Sequence, residues 1–166
     1  MSRSKRSTRK KGKNMKPVRV AAVLITIGVA LFMASTVAAQ LKSPDDVKTG
    51  LRLLMQVSND FKRQITAKNF PRIPREFKEY TESADAVRTA VKDEPAAFKA
   101  KVETKLKAAV AAFQKVSDMS SNSPDTDKLM AEHGKAVTAM NALFELFPPD
   151  LRPDPNAPAG IRAPKN

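Results

Sequence analysis

There is no cysteine anywhere in the 166-residue chain. That excludes disulfides, thiolate zinc sites, a lipid-modified cysteine and thioether-linked haem, and it removes every Cys–His nucleophile pair. The single histidine, His133, excludes most imidazole-based metal sites. Tryptophan is absent, tyrosine occurs once and glycine five times. Such a composition speaks against an all-β fold, while long stretches of Ala, Lys, Val, Leu and Met favour helices. Nothing in the chain resembles a phosphate loop, a nucleophile elbow or a dinucleotide fingerprint, so the expectation is a protein that is not an enzyme.

Basic charge is abundant but unevenly placed. The chain holds 30 Lys and Arg against 17 Asp and Glu, a formal net charge of +13. Nine of the basic residues, from Arg3 to Arg19, precede Val20 with no acid among them, and residues 20–41 carry no charge. The remainder has 21 basic and 17 acidic residues, a net of only +4. A nucleic-acid partner needs a clustered basic stripe and preferably aromatics to stack bases, and this balance argues against one.

The order of the first 39 residues, basic, then apolar over 20–34, then small-residue Ser35-Thr36-Val37-Ala38-Ala39, is that of a secretory signal peptide. Small side chains at Val37 and Ala39 place the cut before Gln40. The competing reading is a retained anchor, because the uncharged run of 22 residues reaches the ~20 that a membrane span requires. Both readings export the rest of the chain, since the positive flank stays cytoplasmic. The expected location is therefore periplasmic or extracellular, or the outer side of the cytoplasmic membrane if the leader is retained.

Residues 40–147 read as four amphipathic helices. Ser43-Pro44-Asp45-Asp46 is a helix start, with Ser43 as the expected cap, Pro44 at the first position and two carboxylates at the positive helix end. Val47, Leu51, Leu54, Phe61 and Ile65 then form one stripe of a helix over 44–67, weakened slightly by Gly50. Asn69-Phe70-Pro71-Arg72-Ile73-Pro74 is a double-proline turn. A second helix carries Phe77, Tyr80, Ala84, Val87 and Val91 and closes at Asp93-Glu94-Pro95. The third has Phe98, Val102, Leu106, Ala109, Phe113 and Val116, and ends at a polar Ser120-Ser121-Asn122-Ser123 loop. The fourth shows Leu129, His133, Ala136, Met140, Leu143 and Phe147. Stripes of this kind cannot be buried singly, so short connections predict an all-α, antiparallel up-and-down four-helix bundle. Six of the 19 residues over 148–166 are proline, which predicts an extended tail beyond the fold.

Few residues are placed for chemistry. Glu76, Glu79 and Glu82 share the spacing of bundle-core di-iron carboxylates, but such sites also use Glu-x-x-His pairs, which this chain lacks; a solvated acidic face is expected. The lysines of the third helix, Lys99, Lys101, Lys105, Lys107 and Lys115, scatter over several faces and read as a soluble exterior. His133 lies on an apolar stripe. The expectation is a structural imidazole at the bundle edge, hydrogen-bonded to a neighbour. The alternative is a cofactor-binding set of His133 with Met55 or Met140 as the soft partner. Counting along antiparallel helices, Met55 and His133 differ in level by three residues, ~4.5 Å.

A Met-bearing first helix and a final helix with a His-x-x-Phe-like ending, in an exported four-helix bundle of this length, resemble the cytochrome c prime and haem-b four-helix cytochromes. In cytochrome c prime the last helix carries Cys-x-x-Cys-His with an aromatic three residues on. The matching positions here are Met140, Leu143 and Phe144, followed by Phe147. The resemblance implies a member without the covalent haem site, its space filled by Met140, Leu143 and Phe144. The expected function is an exported, non-enzymatic bundle with no cofactor that binds a protein partner or a small apolar ligand. Two alternatives stand beside it: an electron carrier with non-covalent haem ligated by His133 and a Met, and a membrane-tethered interaction domain. A homodimer is among the oligomeric states consistent with either.

Overall fold

Proline and aspartate at the start of an apolar stripe open the first helix where expected, and the computed structural model describes the chain from there on, over residues 41–122 and 124–154. The expected signal peptide, 1–39, lies outside the described residues, as do residues 155–166 of the proline-rich tail. Four helices follow one another: α1 (Pro44–Thr66), α2 (Ile73–Ala90), α3 (Ala96–Asn122) and α4 (Thr126–Phe144), with 3-10 turns at Phe70–Arg72 and Pro149–Leu151. The fold is all-α, with no strand among the described residues.

Local chemistry explains the ends. Ser43 is not the side-chain cap that was expected: it makes no capping bond, and α1 relies on Pro44 and the carboxylates Asp45 and Asp46. At α4 the cap is Asp125, whose carboxylate accepts the Lys128 N–H at 3.0 Å. After α1, Lys68 takes the left-handed φ of 55°, and Asn69 holds the turn by donating Nδ2–H to Gln64 Oε1 at 3.0 Å. The polar loop expected from Ser120 is instead the last turn of α3. There Ser120 Oγ donates to the Ser117 carbonyl at 2.7 Å and Asn122 Nδ2 to the Asp118 carbonyl at 2.9 Å, so these side chains cling to the helix rather than competing with it.

The helices meet in a ring. α1 packs along α2, α2 on α3, α3 along α4, and α4 closes on α1 through a much thinner seam. Apolar side chains from all four stripes are buried inside it, including Leu51, Leu54, Phe61, Tyr80, Leu106, Phe113, Leu129 and Met140, all with 0% exposure. Each fully buried Leu or Phe contributes about 1.5–3 kcal/mol against leaving it in water. Phe77 and Phe98, expected on the inner stripes, are only half-buried. Phe98 covers the end of the core, edge-on to Phe147 with ring centroids 5.7 Å apart. Outside, Arg88 of α2 pairs with Glu103 of α3 at 2.8 Å and Lys115 of α3 with Glu132 of α4 at 2.9 Å. These partly exposed pairs are worth at most about 1 kcal/mol each.

Two expectations are corrected by this packing. Glu76 does not belong to a solvated acidic face; it is 4% exposed and its Oε1 lies 3.4 Å from Gln64 Nε2, because the α1–α2 turn folds the start of α2 over the end of α1. The packed chain also does not stop at Phe147. Leu151 joins the core, and Arg152 ties the segment back by donating Nε–H to the Phe147 carbonyl at 2.8 Å. One leucine at the end of a 3-10 turn suffices to dock the start of a segment that otherwise has little to bury.

Candidate functional site

One ring from each helix meets in a single central layer. Phe61 of α1 lies 5.1 Å from Phe113 of α3, and Tyr80 of α2 lies 4.1 Å from the same Phe113. His133 of α4 stands 5.8 Å from Phe113, edge-on, and 6.5 Å from Phe61, near-parallel. Offset and edge-to-face arrangements suit the positive rims and negative faces of these rings. The layer exists because each stripe carries one large planar residue at the level where the four stripes converge.

His133 is 5% exposed and is thus within the core, not at the edge where it was expected. Its Nε2 lies 3.0 Å from the Ser58 carbonyl oxygen and 3.3 Å from Ser58 Oγ. A carbonyl only accepts, so Nε2 must carry the proton and the imidazole is the Nε2–H tautomer. Burial pushes the His133 pKa below the usual imidazole range; the bond to the Ser58 carbonyl opposes that shift and the charge of Lys62 adds to it. The ring is therefore neutral at pH 7. The closeness of a serine hydroxyl and a histidine looks like a nucleophile and its base. As arranged, however, the nitrogen facing Ser58 already holds a proton, and Ser58 itself is 1% exposed. A general base needs a free lone pair toward the hydroxyl and a path for substrate, and this pair presents neither.

Ser58 was not singled out in the sequence, although a signal exists. It sits four residues after Leu54 and three before Phe61 on the buried stripe of α1, a polar residue on an apolar face, as His133 is on α4. Two such exceptions on facing stripes of a bundle are candidates to satisfy each other. The other polar group of the layer is the Tyr80 hydroxyl, which has no hydrogen-bond partner among the described residues. Burial drives its pKa well above the ordinary phenol range, so it remains protonated.

The two methionines are placed differently. Met55 is half-buried on the flank of α1, three residues before Ser58, in keeping with the three-residue offset counted from the sequence. Met140 is fully buried but seven residues from His133 along α4, ~10.5 Å in rise. Neither is the group that meets the imidazole; Ser58 is. Around Met140 the last turns of α4 are closed: Leu143 is 0%, Phe144 5% and Phe147 1% exposed. Away from this layer, a groove of about 510 Å³ runs between the start of α1 and the end of α2, with polar lining from Ser43, Asp46, Thr49, Thr89 and Asp93. No helix among the described residues is long and apolar enough to cross a membrane, and no group of three or more acidic or imidazole side chains among them could hold a metal ion.

Comparison of the chain with protein families, with curated proteins and with solved structures finds no match.

Proposed function

We propose that this is an exported, non-enzymatic helical bundle of up-and-down topology that engages a partner through its outer surface, with a core like that of a cytochrome c prime that has no haem. The observation that carries the reading is the packing of α4. Met140, Leu143 and Phe144, which stand where the resemblance places two cysteines and the haem-ligating histidine, are all buried side chains packed in the core. Short connections and the ring of helix contacts support the up-and-down order.

The residues present do not fit a haem. A ligating imidazole offers iron a free ring nitrogen on an open side, whereas His133 is flanked by Phe61 and Phe113 and directs Nε2–H at the Ser58 carbonyl. A macrocycle inserted here would displace the aromatic layer that joins the four helices. A filled interior also favours a surface partner over a small apolar ligand.

The absorption spectrum of protein purified from its native host tests the reading. No Soret band, and no stoichiometric uptake of added haem, is the expected outcome. Stoichiometric uptake that His133→Leu abolishes and Met55→Leu weakens would replace this function with electron transfer.

A further inference from the structure

We infer that the turn between α1 and α2 is the surface on which this bundle receives its partner, and that the partner presents an acidic protein segment there. The inference rests on the partner reading proposed above and names the surface and the chemistry of what binds it.

Positive charge is concentrated at this turn. Residues 62–78 hold Lys62, Arg63, Lys68, Arg72, Arg75 and Lys78 against one acid, Glu76, a net of +5. All the residues after 39 together carry only +4, so those outside the segment have a net of −1. Glu76 is buried and turned onto Gln64, so it is not on the surface a partner meets. Just beyond the segment, Asp60 pairs with Arg63 at 2.8 Å and Glu79 with Arg75 at 3.5 Å. With both acids counted, residues 60–79 still have a net of +3, and the Arg63 and Arg75 side chains remain 66% and 71% exposed.

Helix energetics accounts for only some of these cations. Arg63 lies in the last turn of α1, where a positive charge complements the negative helix end. Arg72 and Arg75 are placed the other way. Arg72 stands at the cap position of α2 with no side-chain capping bond, and Arg75 is the third residue of the helix, at the positive end where cations are unfavourable. In α1 and α4 the first turn carries aspartates instead, Asp45, Asp46 and Asp127. Lys68 holds the left-handed φ of 55°, which glycine adopts at least cost. Three cations are thus kept at positions that the fold by itself disfavours. A carboxylate brought to this end is attracted by the helix terminus and by the guanidinium forks together.

The surface is also rigid, with an apolar edge. The Asn69 main-chain N–H donates to the Gln64 carbonyl at 2.9 Å and the Arg72 N–H to the Asn69 carbonyl at 3.1 Å, while Pro71 and Pro74 fix their own φ. Between Lys68 and Arg72, Phe70 is half-buried and packed against the core. Arginines held beside a fixed aromatic suit a protein partner, because little ordering is left to be done on binding. A lipid surface calls for an apolar face free to insert, and a nucleic-acid strand for open rings on which bases stack. Phe70, packed on its own core, serves neither.

The test uses protein purified from its native host and a short labelled peptide of alternating acidic residues and leucine that carries a photo-crosslinking group. Crosslinks should map to residues 62–78. Arg72→Glu combined with Arg75→Glu should weaken binding at least about tenfold and leave the urea midpoint unchanged or raised, since acids suit that helix end. Lys101→Glu combined with Lys105→Glu, the same change of charge on the exposed side of α3, should weaken it less than about twofold. If the first reversal lowers helical content, Arg72→Gln with Arg75→Gln takes its place, with loss of binding in the same direction. No binding of the peptide, equal losses in the two reversals, or crosslinks spread along the chain would overturn the inference. So would tighter binding of an oligonucleotide or of phosphatidylglycerol vesicles that depends on the same arginines, which would make this a surface for phosphates. With no Soret band in the same preparation, such a failure concerns this surface alone; His133-dependent haem uptake would instead fail the function proposed above.

Discussion

α1 has two neighbours and is joined to them by different physics. Against α2 it runs close, and Gly50 shows how close: a Cβ built there would fall 2.9 Å from Val87 Cγ2 and 3.3 Å from the Val87 nitrogen. Against α4 the approach is sparse, and the seam is bridged by a polar pair, His133 with Ser58. Where backbones come near, at Gly50 and Val87, apolar interlock joins them, and the buried Gln64–Glu76 contact between the same two helices lies toward the turn that connects them. Where they stand apart, an imidazole reaches across and binds a main-chain oxygen. The first seam is tuned by volume, the second by a hydrogen bond and by protonation.

The strongest way to break both seams is through the ring they share. Phe113 touches Phe61, Tyr80 and His133, which belong to the other three helices. Phe113→Ala should cost about 3–5 kcal/mol, read as a fall in the urea midpoint with little change in the slope. A loss below about 1 kcal/mol would mean that the layer is not a shared support.

Gly50→Ala separates the seams. Alanine at an interior helical position gains about 1 kcal/mol over glycine, but overpacking costs about 1–3 kcal/mol, and the close atoms include the backbone of α2. A net loss of about 1 kcal/mol is expected in chemical denaturation. A gain would show that α2 can retreat freely and that the close approach is not required.

The α1–α4 seam should answer to pH. His133 has a depressed folded pKa, against ~6.5 when unfolded. Above the unfolded value both states are neutral and pH has no leverage. As pH falls below it, the unfolded chain binds a proton that the folded chain refuses, so stability drops by up to ~1.4 kcal/mol per unit until the folded pKa is reached. His133→Leu should leave the fold intact at pH 7, and the difference between it and the native chain should widen in its favour between neutral and acid pH. Parallel curves would show that the imidazole is not the group that titrates.

The smallest effect is the control. Gly134 is exposed on α4, with nothing within 4 Å of a built Cβ, so Gly134→Ala should stabilise by about 0.5–1 kcal/mol through helix propensity alone. Set beside Gly50→Ala, it tests whether contact with α2, and not the substitution itself, sets the sign.

Much of this molecule was legible in the order of its residues. The 3.6-residue recurrence of Val47, Leu51, Leu54, Phe61 and Ile65 and its counterparts in three later segments determined the number of helices and the faces they bury, because a helix places those positions on one side whatever it later touches. Pro71 and Pro95 likewise stand where helices could not continue, while Pro74 sits in the first turn of α2, where a missing N–H costs nothing. What only the tertiary structure decided is which residue stands opposite which. That Ser58 meets His133, that Glu76 lies beneath the α1–α2 turn, that Glu94 holds Lys42 and that Leu151 returns to the core all depend on the relative rotation and level of packed helices. A period along one helix specifies its face but not the height of its neighbour, which is settled by how four sets of side chains fill one volume.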